Sequence, residues 1–536
     1  MTPVSTAQDR LDALADDLAG VRYYADDITE LIGAEAHEAL GRDQPIPARL
    51  ALADLEAGDP RAQLAAVVDL FLTGGTVPAV RIDAALPRTG AAGLLALGLA
   101  EVGLPEALDE GEDDDAAVTV RAAVDLRPHA SDADAELWVA SDLSAYQRPG
   151  MLRTDHVLGI GQASRTLAQT TARRPVRRAL DVGTGCGIQT FHLLSHAEHV
   201  VATDVSERAL DFARFNLLLN HRALGIDPAN LSARVDLRLG SLLEPVAGQT
   251  FDLIVSNPPF VITPRREGER EEERYTYRDG GLPGDTLVAH LVSELPAYLN
   301  DGGTAQMLAN WEVRREAQAW SDGPAAWLAT GAAAECQVEA WFIQRDTETP
   351  QQYAEVWLRD AAEGRDARHY ERQYRAYLED FASRDVAEIG FGMVWLRRPS
   401  GEGRAVGRRF EEITHPIEQP LGPHLAAAIA AADTLPGDLG SVHAVVADDV
   451  TEERHQRPGA EHPGVILLRQ GAGLRRTHLL TTAEAGLVSA CDGELTLGQI
   501  ADAIDALLGE DDPEAKTRLL EGARRLIVNG FLTLVR

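Results

Sequence analysis

Cysteine is scarce in this chain of 536 residues, with only Cys186, Cys336 and Cys491. The three stand far apart and form no CxxC pair. That excludes a disulfide framework and a cysteine-based structural zinc site. Basic residues are also few, 50 Lys and Arg against 84 Asp and Glu, giving a formal net charge of −34. A broad nucleic-acid surface needs clustered cations to displace counterions, so the deficit argues against one. It leaves room for a small basic patch such as Arg173–Arg178, which reads more simply as the flank of a strand. No long hydrophobic run is present either. The most apolar stretch, Ala91–Gly103, is too short to span a bilayer and carries several glycines. The opening MTPVSTAQDRLDALADDLAG is polar and amphipathic, unlike a secretory leader. Together these absences point to a reducing cytoplasm, no membrane segment and no metal.

What is present is a globular balance, 45% hydrophobic and 25% charged, over a length that predicts two to four domains. Residues 1–145 read as a mainly helical accessory domain. Helix-spaced apolar residues occur at Arg10–Leu18, Ile28–Leu40, Pro47–Leu55 and Leu64–Leu72, with two short helices in Arg81–Val102. The acidic run Asp109–Asp115 reads as a solvated tip. Strands at Ala117–Leu126 and Glu136–Ser141 would complete a winged-helix-like unit, and SAYQRPG at Ser144–Gly150 is the junction. Residues 146–400 change to strand, glycine turn and helix in alternation, the grammar of a doubly wound parallel sheet. The predicted strands are Ala179–Val182, Val200–Asp204, Val235–Leu239, Phe251–Val255 and Gly303–Asn310, then a late pair, Gln337–Gln344 and Glu388–Leu396. The predicted helices are Asp155–Thr170, Ile188–Ser195, Glu207–Leu219, Leu287–Leu299 and Trp311–Leu328. A helical insertion near 350–383 carries Tyr353, Trp357, Tyr370, Tyr374 and Tyr377, a stripe read as core. Residues 401–536 form an α+β region ending in a second winged-helix-like unit.

Two stretches carry chemistry. The first is Phe251–Pro264, FDLIVSNPPFVITP. Pro258 and Pro259 lack the N–H that a sheet ladder needs, so the strand must stop at Asn257. Ligands bind at that end of open α/β sheets. The Asn257 carboxamide and the Pro258 carbonyl offer two acceptors, and Phe260 offers a flat apolar face. That set suits a planar –NH2 group. The second is Asp181-Val-Gly183-Thr184-Gly185-Cys-Gly187, between a strand and a helix. Glycine there permits positive φ and close ligand approach. Asp181 would repel a pyrophosphate but suits an ammonium group. Asp204 closes the next strand about 20 residues on, the spacing of a ribose-binding acid. A ligand with a cationic amino acid at one end and a ribose at the other is S-adenosylmethionine.

DVGTGCG, ATDVS and SNPPF, in this order and spacing, resemble the class I S-adenosylmethionine-dependent methyltransferases of the NPPY/NPPF subgroup, over residues 150–345. NPPFVITP and Gly280-Gly281-Leu-Pro-Gly-Asp285 are similar to the HemK-type glutamine N-methyltransferases within it. The resemblance implies a Rossmann-like, seven-stranded α/β sheet with a reversed last strand. It implies cofactor over Asp181, Gly183, Thr184, Gly185 and Gly187, ribose on Asp204 and the acceptor nitrogen at Asn257. Two residues depart from the pattern. Ser241 stands where the family often has an acid contacting the adenine, and Phe260 replaces the tyrosine of the glutamine enzymes. The expected activity is therefore N-methylation of a planar nitrogen in a macromolecule. Protein glutamine comes first and an RNA or DNA base (guanine-N2 or adenine-N6) second. A small-molecule methyltransferase and a methyltransferase-like scaffold are further alternatives. His156 reads first as a surface or capping histidine and second as a lining residue of the cofactor pocket, and Arg265–Arg278 as a charged loop or a substrate-gripping lid. Oligomeric state is open.

Overall fold

The computed structural model describes residues 2–55, 58–103, 118–130, 135–144, 146–148, 153–265, 280–360, 367–400, 407–508 and 514–535. The acidic run Asp109–Asp115 and most of Arg265–Arg278 lie outside the described residues, as does part of the 144–150 junction. The chain divides into two compact units, one of residues 1–167 and 175–412, the other of 168–174 and 413–536.

The first unit is built on an eight-stranded sheet. Its strands are β1 (Val176–Val182), β2 (Ala197–Asp204), β3 (Val235–Leu239), β4 (Phe251–Ser256), β5 (Leu299–Arg314), β6 (Glu339–Glu348), β7 (Val386–Arg397) and β8 (Arg408–Glu412). The spatial order is β8-β6-β7-β5-β4-β1-β2-β3. β7 runs antiparallel to both β5 and β6, while β1 to β5 are parallel. This is the expected doubly wound sheet with a reversed last strand. It carries one strand more than the expected seven, because β8 adds parallel to β6 at the edge. The main crossover helices are α1 (Ile188–Leu194), α2 (Glu207–Leu219) and α3 (Thr286–Glu294).

Trp311–Leu328 is not one helix. β5 continues through Trp311 to Arg314, and short helices follow at Asp322–Trp327 and Gly331–Glu335. Asn310 and Trp311 are both fully buried, so this strand is covered on both faces and shows no alternation for a sequence reading to detect. Gly390 and Gly392 of β7 leave room for the indole, since a Cβ at either would collide with Trp311. The predicted Asp155–Thr170 helix begins only at Gln162. The insertion between β6 and β7 is α4 (Pro350–Asp360) and α5 (Ala367–Ser383). Tyr353, Tyr377 and Phe381 are buried there with Ile262, so the aromatic stripe is core.

The N-terminal region of the same unit contains the expected helices, with Gly33 splitting Ile28–Leu40 into Ala25–Ile32 and Ala34–Gly41. The predicted strand Ala117–Leu126 is two strands. Thr119–Ala122 is the centre of a small three-stranded sheet. The chain leaves it at Ala123 and forms a hairpin of Asp125–Ala130 with Glu136–Ser141.

That hairpin is fastened to α2 by two carboxamides one helical turn apart, which present on one face. Asn216 accepts from Ala140 N–H at 2.7 Å and donates to Ala140 O at 2.9 Å. Asn220 accepts from Trp138 N–H at 2.8 Å and donates to Trp138 O at 2.7 Å. The helix thus satisfies the strand as a neighbouring strand would. Asn216 also donates to Cys186 O at 2.9 Å, which ties the hairpin to the glycine turn.

The second unit contains helices Gly422–Thr434, Thr482–Ala490, Leu497–Leu508 and Ala515–Val528 and two three-stranded sheets. The Asp492-Gly493 turn is the start of a strand, Asp492–Thr496, paired with His443–Val446.

Candidate active site

Register aligns the carboxyl ends of four parallel strands. Val182 lies opposite Thr203 and Ser256, and Asp204 opposite Leu239. The chain turns away from each strand just beyond these residues, so Gly183, Val205, Gly240 and Asn257 rim one hollow. The hollow is a cavity of about 1180 Å³. Gly183, Thr184, Gly185, Asp204, Ser241, Asn257, Pro258 and Pro259 all line it. Asp181, Gly187 and Phe260 are not among the lining residues.

Asp181 is fully buried beside the glycine turn. Its Oδ2 accepts from Thr184 Oγ1 at 2.7 Å and Thr190 Oγ1 at 2.8 Å, bracing the turn against the helix it opens. Its Oδ1 is buried without a hydrogen-bond partner. Burial pushes the carboxyl up to about 6, against the opposing pull of the two threonine hydroxyls. Gly183, Gly185 and Gly187 all have positive φ, 76°, 56° and 100°. A Cβ at Gly183 or Gly185 would meet nothing within 4 Å, so these positions leave open space beside the backbone. At Gly187 it would press on the Phe191 ring, so that glycine serves packing.

Asp204 closes β2 with Oδ2 accepting from Gly185 N–H and Oδ1 from Ser206 N–H, both at 2.9 Å. Burial raises its carboxyl, opposed by backbone N–H donors. Each oxygen retains acceptor capacity for a hydroxyl.

The strand β4 ends as its prolines require. Ser256 donates to Val182 O at 2.9 Å, and Pro258 O accepts from Phe260 N–H at 2.8 Å across a tight turn. Asn257 Oδ1 is buried without a hydrogen-bond partner. A buried amide oxygen left unpaired is costly, of order 1–3 kcal/mol, and this one stands on the cavity wall with its acceptor capacity unused. Phe260 packs instead against the apolar cluster that contains Trp311. The turn is held from outside the motif, since Tyr353 Oη of α4 accepts from Ile262 N–H at 2.8 Å and from Asn310 Nδ2 at 3.1 Å. Gly280, Gly281 and Leu282 complete this wall. Asp285, just beyond them, is half-buried, accepts from Glu312 N–H at 2.9 Å and is pushed by desolvation up to about 6.

His156 is buried and lines the cavity, the second of its two sequence readings. Several other residues around the cavity were not singled out from sequence. Asp142, the neighbour of His156, accepts from Val157 N–H at 2.8 Å and pairs with Arg208 of α2. The N-terminal region adds Ile28, His37, Asp43, Asp125, Arg127 and His129. Only partners distant in the chain make these residues legible, and no local motif announces them.

The profile of the methyltransferase small domain matches residues 145–271. This part of the chain is a class I methyltransferase domain. The methyltransferase domain is similar to the release factor glutamine methyltransferase of Geobacter sulfurreducens, 37% identical over 130 residues, 23% of this chain and 42% of that protein. It is similar also to the ribosomal protein uL3 glutamine methyltransferase of Bradyrhizobium diazoefficiens, 32% identical over 164 residues, 29% of this chain and 46% of that protein. A putative protein N5-glutamine methyltransferase of Methanocaldococcus jannaschii is 29% identical over 131 residues, 24% of this chain and 59% of that protein. The chain spans about half the length of the curated relatives it matches. A second profile, described as a domain of unknown function (DUF7059), matches residues 20–108. Among the described residues, no helix is long and apolar enough to cross a membrane.

Proposed function

We propose that this protein is a cytoplasmic S-adenosylmethionine-dependent N-methyltransferase whose acceptor is a glutamine side chain of another protein. One observation carries the reading. The glycine turn and Asn257, with its buried and unpaired Oδ1, border a single cavity. The glutamine methyltransferases named above support an amide acceptor over a nucleobase.

When bound, the cofactor supplies an electrophilic sulfonium methyl. Gly183, Thr184 and Gly185 would cradle it, Asp204 would take the ribose hydroxyls and Ser241 would sit beside the adenine. The free Asp181 oxygen suits its cationic end, directly or through water. The acceptor amide is a poor nucleophile because its lone pair is delocalised, with a C–N rotation barrier of ~18–20 kcal/mol. Asn257 Oδ1 takes one of its N–H groups. The Pro258 carbonyl takes the other with the lone pair that Phe260 N–H leaves free. These bonds strengthen as the nitrogen becomes positive, each contributing about 1–3 kcal/mol. In-line positioning contributes up to about 7–11 kcal/mol.

Isothermal titration tests the cofactor half. Wild type should bind S-adenosylmethionine, and Asp204→Ala should bind it at least tenfold more weakly. Transfer of radiolabelled methyl into a cell lysate tests the acceptor half. Protease-sensitive label is expected, and label removed by ribonuclease or deoxyribonuclease would overturn the glutamine assignment.

A further inference from the structure

The wall facing the glycine turn comes from the N-terminal hairpin, outside the residues matched to the methyltransferase small domain. His129 on this hairpin meets His192 of α1, with Nε2 atoms 3.1 Å apart. Residues 127 and 129 share a strand face. Arg127 therefore presents on the face that packs toward α1, the helix opened by the glycine turn, and it lines the same cavity.

The Arg127 guanidinium is fixed before any ligand arrives. Its Nε donates to both oxygens of the buried Asp125, at 3.0 and 2.8 Å. Its Nη2 donates to Tyr146 Oη at 2.8 Å, and that hydroxyl in turn donates to Leu72 O at 3.0 Å. Among the described residues, Nη1 has no protein partner, and it is not one of the sealed polar atoms. A guanidinium held by a carboxylate on one edge and open on the other is a donor fork for one oxygen-bearing group. Asp125 offsets most of its charge, and Asp43 lies in the same wall. The surroundings thus suit a single carboxylate and disfavour a polyphosphate.

We propose that Arg127 is a carboxylate-binding residue of this cavity. It takes either the α-carboxylate at the methionine end of the cofactor or a carboxylate on the acceptor chain. The proposal rests on the methyltransferase reading above.

The test uses the full chain and two nucleosides, S-adenosylhomocysteine, which carries the α-carboxylate, and 5′-methylthioadenosine, which lacks the amino-acid end. Titration should show Arg127→Gln binding S-adenosylhomocysteine at least tenfold more weakly with 5′-methylthioadenosine unchanged, which assigns the cofactor carboxylate. If both nucleosides bind as in wild type while labelled methyl transfer to lysate protein falls at least tenfold, and Arg127→Lys restores part of it, the acceptor is the source. Equal weakening for both nucleosides, or no change in binding and transfer, overturns the proposal. Wild type that binds neither nucleoside overturns the methyltransferase reading and this proposal with it. Arg127→Gln strands a buried Asp125. The double variant Asp125→Asn/Arg127→Gln removes that mismatch and is read in the same way.

Discussion

Replacing Asn216 by leucine isolates the fastening between the N-terminal hairpin and the methyltransferase sheet. The two side chains branch alike with the same number of non-hydrogen atoms, so no cavity opens and the change is chiefly one of hydrogen bonding. Three buried groups lose their partner: Ala140 N–H, Ala140 O and Cys186 O. At about 1–3 kcal/mol for each stranded group, the cost is about 3–9 kcal/mol. Leucine returns about 1–2 kcal/mol by burying apolar surface, less than full transfer because the site is lined by backbone. The polar loss wins, and a net destabilisation of about 1–8 kcal/mol is expected. Trp138 lies in the hairpin, so urea unfolding followed by tryptophan fluorescence should report it, and hydrogen exchange at Ala140 N–H should accelerate. Because Cys186 O belongs to the glycine turn, S-adenosylhomocysteine affinity should fall several-fold as well. A stability change below about 1 kcal/mol, with Ala140 exchange unaltered, would refute the reasoning, since buried groups left unpaired cannot cost so little.

Asn257→Ala should leave S-adenosylmethionine affinity within twofold of wild type while lowering methyl transfer about 10²–10³-fold, the usual cost of removing one aligned transition-state hydrogen bond. Steady-state transfer and titration on the same preparation check both halves. Tyr353→Phe strips the acceptor from Ile262 N–H and Asn310 Nδ2 and should cost about 1–3 kcal/mol in urea unfolding. It should depress methyl transfer without altering S-adenosylmethionine affinity. Asp285 sits near 6 in the folded chain against an ordinary 3.8, so its favourable contribution is complete below 3.8 and is lost as pH rises through about 6. Asp285→Asn should therefore be more stable than wild type by about 2 kcal/mol at pH 8, and by less than half of that at pH 4.5, as read by denaturant titration at the two pH values.

The sheet was legible where local pattern and tertiary role coincide. Glu207–Leu219, Val235–Leu239 and Leu497–Leu508 have the observed bounds, because each carries one clear periodicity and is cut by a cap or turn. Edge strands Arg408–Glu412 and Val450–His455 went unread, since charged and polar residues at most positions leave no hydrophobic alternation. The end of β5 failed for the opposite reason, burial on both faces. In the site, Asp204, the glycines and Asn257 announce themselves, because their chemistry depends on a local turn. Asp142, Arg208, Asn216 and Arg127 do not, because each acquires its role from a partner that folding alone brings near. Phe260 shows the reverse error, a plausible flat platform in the motif that folding turns toward the core.

The hydroxyl steadying the NPPF turn arrives from an insert 91 residues farther along the chain. A change in α4 can therefore disturb this turn while every letter of both signature motifs stays unchanged. The two signatures alone therefore do not fix where this turn sits.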